Sequence, residues 1–190
     1  MKKMLIICLG LILFAACDEE TLIPKPPTYL RLELPNHTYK VIEDDCPYKL
    51  TLHDLFTVTP VSEAGQVTCH KDIDLGPLNG TIHLSYIDMV EPLSVYVNFV
   101  NDKVDEHKVK AMGIKDSQFI NPEKRVYCTF FELQGDVASP FQFYLTDSTD
   151  RFVSGVVYFN STPDYDSLKP SLDYLKIDLE KLINDFEWRD

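Results

Sequence analysis

The sequence predicts an α+β fold, a single domain in which an antiparallel β-sheet packs against two main helices. Short runs of alternating apolar and polar residues recur along the chain, and this period of two is typical of half-buried strands. Two longer stretches instead place apolar residues three and four positions apart, which is the period of a helix. A length of 190 residues, of which 45% are hydrophobic, suits one domain with its own core.

Strands are predicted where this alternation is bounded by turn residues. Asn79-Gly80 is a hairpin-turn dipeptide, so the strands on either side of it should be antiparallel neighbours. Residues 147–150, Asp-Ser-Thr-Asp, are predicted to form another hairpin turn, because their side chains can bond their own backbone and too few ligands are present for calcium. The predicted strands are 28–34, 39–43, 49–53, 56–59, 66–75, 81–89, 111–120, 125–133, 141–146 and 151–159.

Two helices follow from the apolar periodicity. The first begins at Pro92, since the start of a helix tolerates a residue without an amide hydrogen. The second has the clearest stripe in the chain, with Asp166 or Ser167 as its predicted N-cap, and we interpret the stripe as a core-facing surface. The stripes comprise Leu93, Tyr96, Val97, Val100 and Val104 in the first helix and Leu168, Leu172, Leu175, Leu179, Leu182 and Phe186 in the second.

The N-terminus is typical of a bacterial lipoprotein signal. Two lysines precede an apolar run that ends in Ala15-Ala16-Cys17, and the run is shorter than the roughly 20 residues that span a bilayer. We therefore predict cleavage before Cys17 and acylation of that cysteine. The alternative is an ordinary signal peptide with a chance cysteine. The predicted organisation is a signal peptide over 1–16, the lipidated cysteine and a proline-rich spacer over 17–27, and a globular domain over 28–190.

The formal net charge is −12, and this charge disfavours two classes of partner. An acidic domain repels the phosphates of nucleic acid and anionic lipid headgroups, so we expect it to bind neither through its surface. Attachment to the membrane is expected instead through acyl chains on Cys17, because each buried methylene contributes about 0.8 kcal/mol.

Three cysteines remain in the predicted mature chain, and in an oxidising compartment two of them can pair. Cys46 and Cys69 are the candidate disulfide, since both lie near predicted turns or strand ends. Cys128 lies within an apolar strand and is expected to be a buried small hydrophobic residue. The alternative is three free buried thiols.

No established catalytic or nucleotide-binding motif occurs in the sequence, and we expect no catalytic residue, metal or cofactor. Cys69, His70 and Asp72 are close in sequence, but adjacent strand residues point to opposite faces of a sheet, which disfavours a metal site there. The five histidines are scattered, at His37, His53, His70, His83 and His107.

One long segment has a recognisable family pattern. Residues 135–159 read GDVASPFQFYLTDSTDRFVSGVVYF, similar to G-N-x-A-S-P-x-Q-F-x-L-T-D-S-T followed by an apolar strand that ends in Y-F. On this basis the chain resembles GldD, the gliding-motility-associated lipoprotein family of Bacteroidetes. It departs from the family at Asp136-Val137, where Asn and a small residue are expected, and at Val153-Ser154, where Leu-Arg is common. Supporting segments are 24–35, 46–48, 82–86, 107–111 and 166–170.

The resemblance implies a role in gliding motility and type IX protein secretion, and it transfers no catalytic residue. We therefore expect a non-catalytic protein that binds or stabilises components of the envelope machinery. The candidate contact surface is the hairpin Ser139–Phe159, with Tyr144, Phe152 and Tyr158 exposed, because aromatic residues are enriched at interfaces. The alternative places these rings in the core. Two other functions remain open, a periplasmic carrier of a small ligand or lipid and an envelope enzyme of unrecognised type.

The expected location is the outer membrane, with the domain facing the periplasm, as the family role implies. Asp18-Glu19-Glu20 directly follows the predicted lipidated cysteine and leaves two alternatives. It resembles the acidic signal that sends some Bacteroidetes lipoproteins to the cell surface, whereas Asp at that place holds lipoproteins of other bacteria in the inner membrane.

Overall fold

A computed structural model of the chain describes residues 34–189. The predicted signal peptide, Cys17, the spacer and all but the last residue of the first predicted strand lie outside the described residues. Within them the α+β fold is confirmed. The helices are α1 (Leu93–Glu106) and α2 (Tyr165–Asp185), and a short 3-10 turn covers Gly76–Leu78. The strands are β1 (Tyr39–Ile42), β2 (Tyr48–His53), β3 (Thr57–Glu63), β4 (Gln66–Asp74), β5 (Gly80–Asp88), β6 (Ala111–Asn121), β7 (Val126–Gly135), β8 (Phe141–Thr146), β9 (Arg151–Phe159) and β10 (Glu187–Trp188).

The strands form two antiparallel sheets rather than the single predicted one. The large sheet has seven strands in the order β3-β4-β5-β9-β8-β7-β6. The small sheet has the order β1-β2-β10, and its last strand, Glu187–Trp188, pairs with Lys49 and Tyr48 of β2. This pairing joins the end of the described chain to its beginning, and no local sequence pattern marks it.

The large sheet has buried side chains on both faces, because alternate residues of each strand point to opposite sides, but its edge strands β3 and β6 contain no buried residue. On one face α1 packs through Val100 and Val104 against Phe131, Leu133 and Phe152. On the other face α2 and the small sheet cover the main core. That core includes Leu50, Leu52, Cys128, Phe130, Phe141, Phe143, Leu145, Val153, Val157, Leu172, Leu175, Leu179 and Leu182.

The predicted start of the last helix is wrong by a few residues. The N-cap is Asp164 rather than Asp166 or Ser167. The carboxylate of Asp164 accepts hydrogen bonds from the backbone N–H of Ser167 at 3.2 Å and from the Ser167 hydroxyl at 2.8 Å. Ser167 is therefore the residue whose amide is capped, and the helix gains nearly one turn at its start.

Cys46 and Cys69, the predicted pair, form a disulfide in the structure, with their Cα atoms 5.5 Å apart. The bond links the loop after β1 to β4. Lys71 lies beside it, almost fully buried, with its ammonium 3.6 Å from the Cys46 sulfur and paired with the Asp44 carboxylate. Cys128 is a free thiol in the core, as expected, and burial raises its pKa well above the ordinary value.

No helix among residues 34–189 combines the length and the apolar character needed to cross a membrane.

Gly155 of β9 lies against a buried aromatic ring of β8. It pairs directly with Phe143, and a Cβ at position 155 would lie 2.1–2.6 Å from three atoms of the Phe143 ring. Phe143 is itself fully buried, so the ring has no room to retreat. Only glycine fits beside it.

Gly155→Ala is therefore expected to lower the free energy of unfolding by about 1–3 kcal/mol, the usual range for overpacking a core. Urea denaturation of the purified domain measures it. Gly113→Ala is the matched control on β6, because its Cβ would meet only the Gln134 side chain at 3.4 Å. An equal loss from both substitutions would show that the Phe143 contact is not the cause.

Candidate functional site

The family-like segment 135–159 forms β8, β9 and their turn, and Asp147 organises that turn. Its Oδ1 accepts hydrogen bonds from the backbone N–H groups of Thr149 (3.0 Å), Asp150 (2.9 Å) and Arg151 (3.0 Å). Its Oδ2 accepts from Arg151 Nε at 2.9 Å. The side chain of Asp147 is 1% exposed. The motif therefore uses its carboxylate to fix the hairpin, as the turn prediction required, rather than presenting it to a ligand.

Asp147 is ionised in the folded protein because of these contacts. Burial alone would raise the pKa of its carboxyl, but the hydrogen bonds from the Arg151 guanidinium and from three backbone amides outweigh burial and hold the pKa far below its ordinary value. Arg151 in turn donates to the Arg189 carbonyl oxygen at 2.7 Å and lies over the Trp188 ring at 5.1 Å. The hairpin is thus tied to the short strand β10.

The three aromatic residues predicted to form an exposed surface lie in different environments. Phe152 is 1% exposed and packs 5.6 Å from Tyr96 of α1, so its predicted exposure is wrong. The reason is that α1 covers the face of β9 to which Phe152 points. Tyr144 is half-buried, stacked on Phe152 at 5.4 Å, and Tyr158 is 40% exposed at the far end of β9. They do not form one continuous surface.

Tyr144 instead lines a groove between α1 and the outer strands β6, β7 and β8. The groove has a volume of about 470 Å³. The Tyr144 hydroxyl forms a 2.9 Å hydrogen bond with Thr129, which keeps the ring against the wall. The walls are formed by Leu93, Val97, Gln118, Ile120, Tyr127, Thr129, Tyr144, Thr146 and Ser148, with part of Cys128.

A second hollow lies on the opposite face of the same edge of the sheet. Its volume is about 320 Å³, and Phe119, Val126, Ile183 and Asn184 line it together with other residues of β6. Between the two hollows runs β6. In the part of the chain that the structure describes, β6 pairs with β7 alone, so its outer edge has backbone groups without a partner strand.

The structure also assembles a polar cluster that the sequence did not predict. His37, His53 and Asp178 each place a possible ligand atom within 4.8 Å of the other two. His37 Nδ1 lies 2.7 Å from Asp178 Oδ1, and the Tyr39 hydroxyl donates to the same oxygen at 3.1 Å. Burial, strengthened by the Asp178 charge, raises the pKa of Tyr39 to about 12, so this hydroxyl keeps its proton.

The hydrogen bonds of His53 define which of its nitrogens is protonated. Its Nδ1 accepts from the backbone N–H of Leu55 at 3.1 Å. The proton of the neutral ring must therefore be on Nε2, which lies 3.0 Å from the Tyr174 hydroxyl. Tyr174 in turn donates to the Pro35 carbonyl oxygen at 3.0 Å. The segment before β1 is thus joined through Tyr174 to β2 and α2.

The cluster could not be read from the sequence because its members come from three distant places. His37 precedes β1, His53 ends β2 and Asp178 lies within α2, 141 residues after His37. One local signal was available. Asp178 lies three residues after Leu175 and four before Leu182, so the helical period places it on the face of the apolar stripe. A buried carboxylate on such a face needs a partner.

Comparison with known proteins identifies the family. A protein-family model described as gliding motility lipoprotein GldD matches residues 19–188. The chain belongs to the GldD family. No curated protein matches it. Among solved structures, the chain is similar to the solution structure of cyanobacterial PsbP (CyanoP) from Synechocystis sp. PCC 6803, with 8% sequence identity, a TM-score of 0.43 and coverage of 82% of this chain and 95% of that one.

The match confirms the resemblance inferred from segment 135–159 and from the supporting segments along the chain. Membership of the GldD family associates the protein with gliding motility and with anchoring to a membrane as a lipoprotein. In this chain the family-like segment has a structural role, since Ser139, Gln142, Thr146 and Asp147 of that motif are all buried.

Asp147→Ala is expected to lower the free energy of unfolding at pH 7 by about 3 kcal/mol, because it leaves the buried end of Arg151 and three amides without their acceptor. The pKa of the Asp147 carboxyl is depressed in the folded protein. Its stabilisation is therefore fully present above the unfolded pKa of about 3.9 and is lost progressively as the pH falls from there through the folded pKa. Urea titrations at pH 7 and at pH 3 measure both effects. The difference in the free energy of unfolding between wild type and variant should be smaller at pH 3 than at pH 7. An equal difference at both pH values would contradict the role of the Asp147 charge.

Proposed function

We propose that this protein is a non-catalytic envelope lipoprotein that supports gliding and type IX protein secretion by binding another protein of the machinery at the free edge of β6. Membership of the GldD family supports the general role. The single observation that supports the binding mode is that two hollows flank the same stretch of an edge strand, one on each face of the sheet.

An edge strand recognises an extended segment of a partner through backbone hydrogen bonds, and the added strand points its side chains alternately to the two faces. Gln118 and Ile120 border both hollows, whereas Phe119 and Asn121 border only the hollow beside α2. Because the side chains of an added strand alternate between the two faces of a sheet, a strand laid along Ser117–Asn121 would direct them in turn toward the groove and toward the hollow. The two hollows have the geometry of pockets for alternate residues of a bound strand.

The composition of the edge supports a protein partner. Ser117–Asn121 has no charged residue, and Ile120 is 62% exposed on it. Natural edge strands are commonly protected by charges or proline, so an uncharged, partly apolar stretch is a surface that a partner can use. Tyr127 and Tyr144 line the adjacent groove, and tyrosine is among the residues enriched at interfaces.

The charge around β6 favours a partner segment with acidic residues at its ends. Residues 108–124 contain four lysines and two acidic residues, although the whole chain has a net charge of −12. Lys110 precedes β6, Lys115 lies at its middle and Lys124 follows it. A segment with apolar alternate residues and acidic flanks would match the shape and the charge of this edge.

We propose the periplasmic face of the outer membrane as the location, with acyl chains on Cys17 as the anchor. The family is described as a lipoprotein family, which supports an acyl anchor. The net charge of −12 disfavours binding of the domain surface to anionic headgroups, so we expect attachment through the acyl chains alone.

Ile120→Lys tests the binding mode in cells that carry the variant as their only copy. A charge at the edge should block strand addition, so colony spreading and secretion should fall toward the level of the deletion strain while the lipoprotein remains at its normal abundance. Val41→Lys is the matched control, because Val41 is 60% exposed on the edge strand β1. Cells that carry Val41→Lys as their only copy should spread and secrete normally.

Photo-crosslinking locates the partner on the same edge. A photoreactive amino acid at position 118 should give a discrete adduct with one envelope protein, and the same amino acid at position 41 should not. If Ile120→Lys spreads and secretes normally, or if both positions give the same adduct, the β6 edge is not the binding surface.

A further inference from the structure

We propose that His37, His53 and Asp178 form a binding site for one divalent transition-metal ion, with Zn²⁺ as the representative ion. The three side chains place ligand atoms within 4.8 Å of one another. Their positions before β1, at the end of β2 and within α2 mean that a bound ion would join three separate parts of the domain.

The donor set selects the class of metal. Two imidazoles and one carboxylate are the ligands of many three-residue zinc sites, which leave a further position for water or another oxygen. Calcium and magnesium prefer oxygen ligands alone, so this set disfavours them. The Tyr39 and Tyr174 hydroxyls contact Asp178 Oδ1 and His53 Nε2, so two further polar groups surround the cluster.

The strongest evidence is an unpartnered oxygen. Asp178 has a side chain that is 1% exposed, and among the described residues its Oδ2 has no hydrogen-bond partner. A buried carboxylate oxygen without a donor is costly, and natural proteins rarely leave one. The other oxygen, Oδ1, is occupied by His37 and Tyr39. A cation at Oδ2 would satisfy the unpaired oxygen.

His53 sets the cost of metal binding. To ligate through Nε2, His53 must give up its hydrogen bond to the Tyr174 hydroxyl, and its proton must move to Nδ1, where the Leu55 amide now donates. Two hydrogen bonds are therefore lost, and each loss weakens binding by at most about tenfold. Three-residue zinc sites have enough affinity to absorb such a loss. The same change provides a local signal, because the Leu55 amide loses its acceptor only when His53 is a ligand.

The site is accessible from solvent and close to the predicted tether. The side chain of His37 is 26% exposed, which gives an ion a route to the buried Asp178. His37 also lies near the start of the described residues, ten positions after the predicted spacer ends at residue 27. A metal bound here would fasten the beginning of the domain to α2.

Calorimetric titration of the full-length lipoprotein in detergent micelles, without an affinity tag, tests the site with ZnCl₂. We expect one Zn²⁺ per chain with micromolar or tighter affinity. His37→Ala and Asp178→Asn should each weaken binding by at least roughly tenfold. Since Asp178 is buried, circular dichroism checks that its variant folds. The side chain of His37 is 26% exposed and lies outside the hydrophobic core, so His37→Ala gives a second variant.

His83→Ala is the matched control. His83 forms a 2.6 Å pair with Asp72 on the sheet surface, outside the cluster, so its removal should leave zinc binding unchanged. In ¹⁵N-labelled protein, one equivalent of Zn²⁺ should shift the Leu55 amide resonance in the wild type and not in His37→Ala. Any one of three results would overturn the proposal. The first is zinc binding weaker than micromolar, and the second is a loss of binding in His83→Ala as large as that in His37→Ala. The third is a Leu55 amide resonance that Zn²⁺ does not shift in the wild type.

Discussion

The organisation of this protein depends on one constraint, which is that a seven-stranded sheet is wider than the two helices of the described residues can cover. Neighbouring strands are about 4.8 Å apart and a helix is about 10 Å wide, so one helix covers roughly two strands. The small sheet β1-β2-β10 adds cover on the α2 face. Neither the helices nor the small sheet fully covers β6. The groove and the second hollow therefore lie on either side of this strand.

Much of the fold follows from local patterns. The strands β8 and β9 have the predicted bounds, and α1 and α2 bury their predicted stripes, because each has a strict period and clear turn residues at its ends. The short strand β10 was missed, since its pairing with β2 joins Glu187 to Lys49 and depends on how the whole chain folds. For the same reason the sequence predicted one sheet where the structure has two.

The candidate sites were predicted less well, and the reasons are physical. Phe152 and Tyr144 belong to the same hairpin and face, but α1 covers the first fully and the second only in part. A single sequence gives no information on where a helix crosses a sheet. The turn at 147–150 was predicted correctly, because the side chain of Asp147 bonds the backbone of its own turn and this interaction is local in sequence. The histidine cluster depends on contacts between residues that are far apart in the sequence.

The helix α2 connects the two surfaces to which we assign binding. Asp178 belongs to the histidine cluster, and Ile183 and Asn184, one to two turns later, line the hollow beside β6. Five residues correspond to about 7.5 Å along a helix, and an α-helix of this length is stiff on that scale. Lys176 also bonds Glu132 of β7 at 2.7 Å, so the same helix is fixed to the strand that neighbours the edge. The segment before β1 and the hollow beside β6 therefore both contact α2, so a change in the position of this helix would reach both proposed binding surfaces.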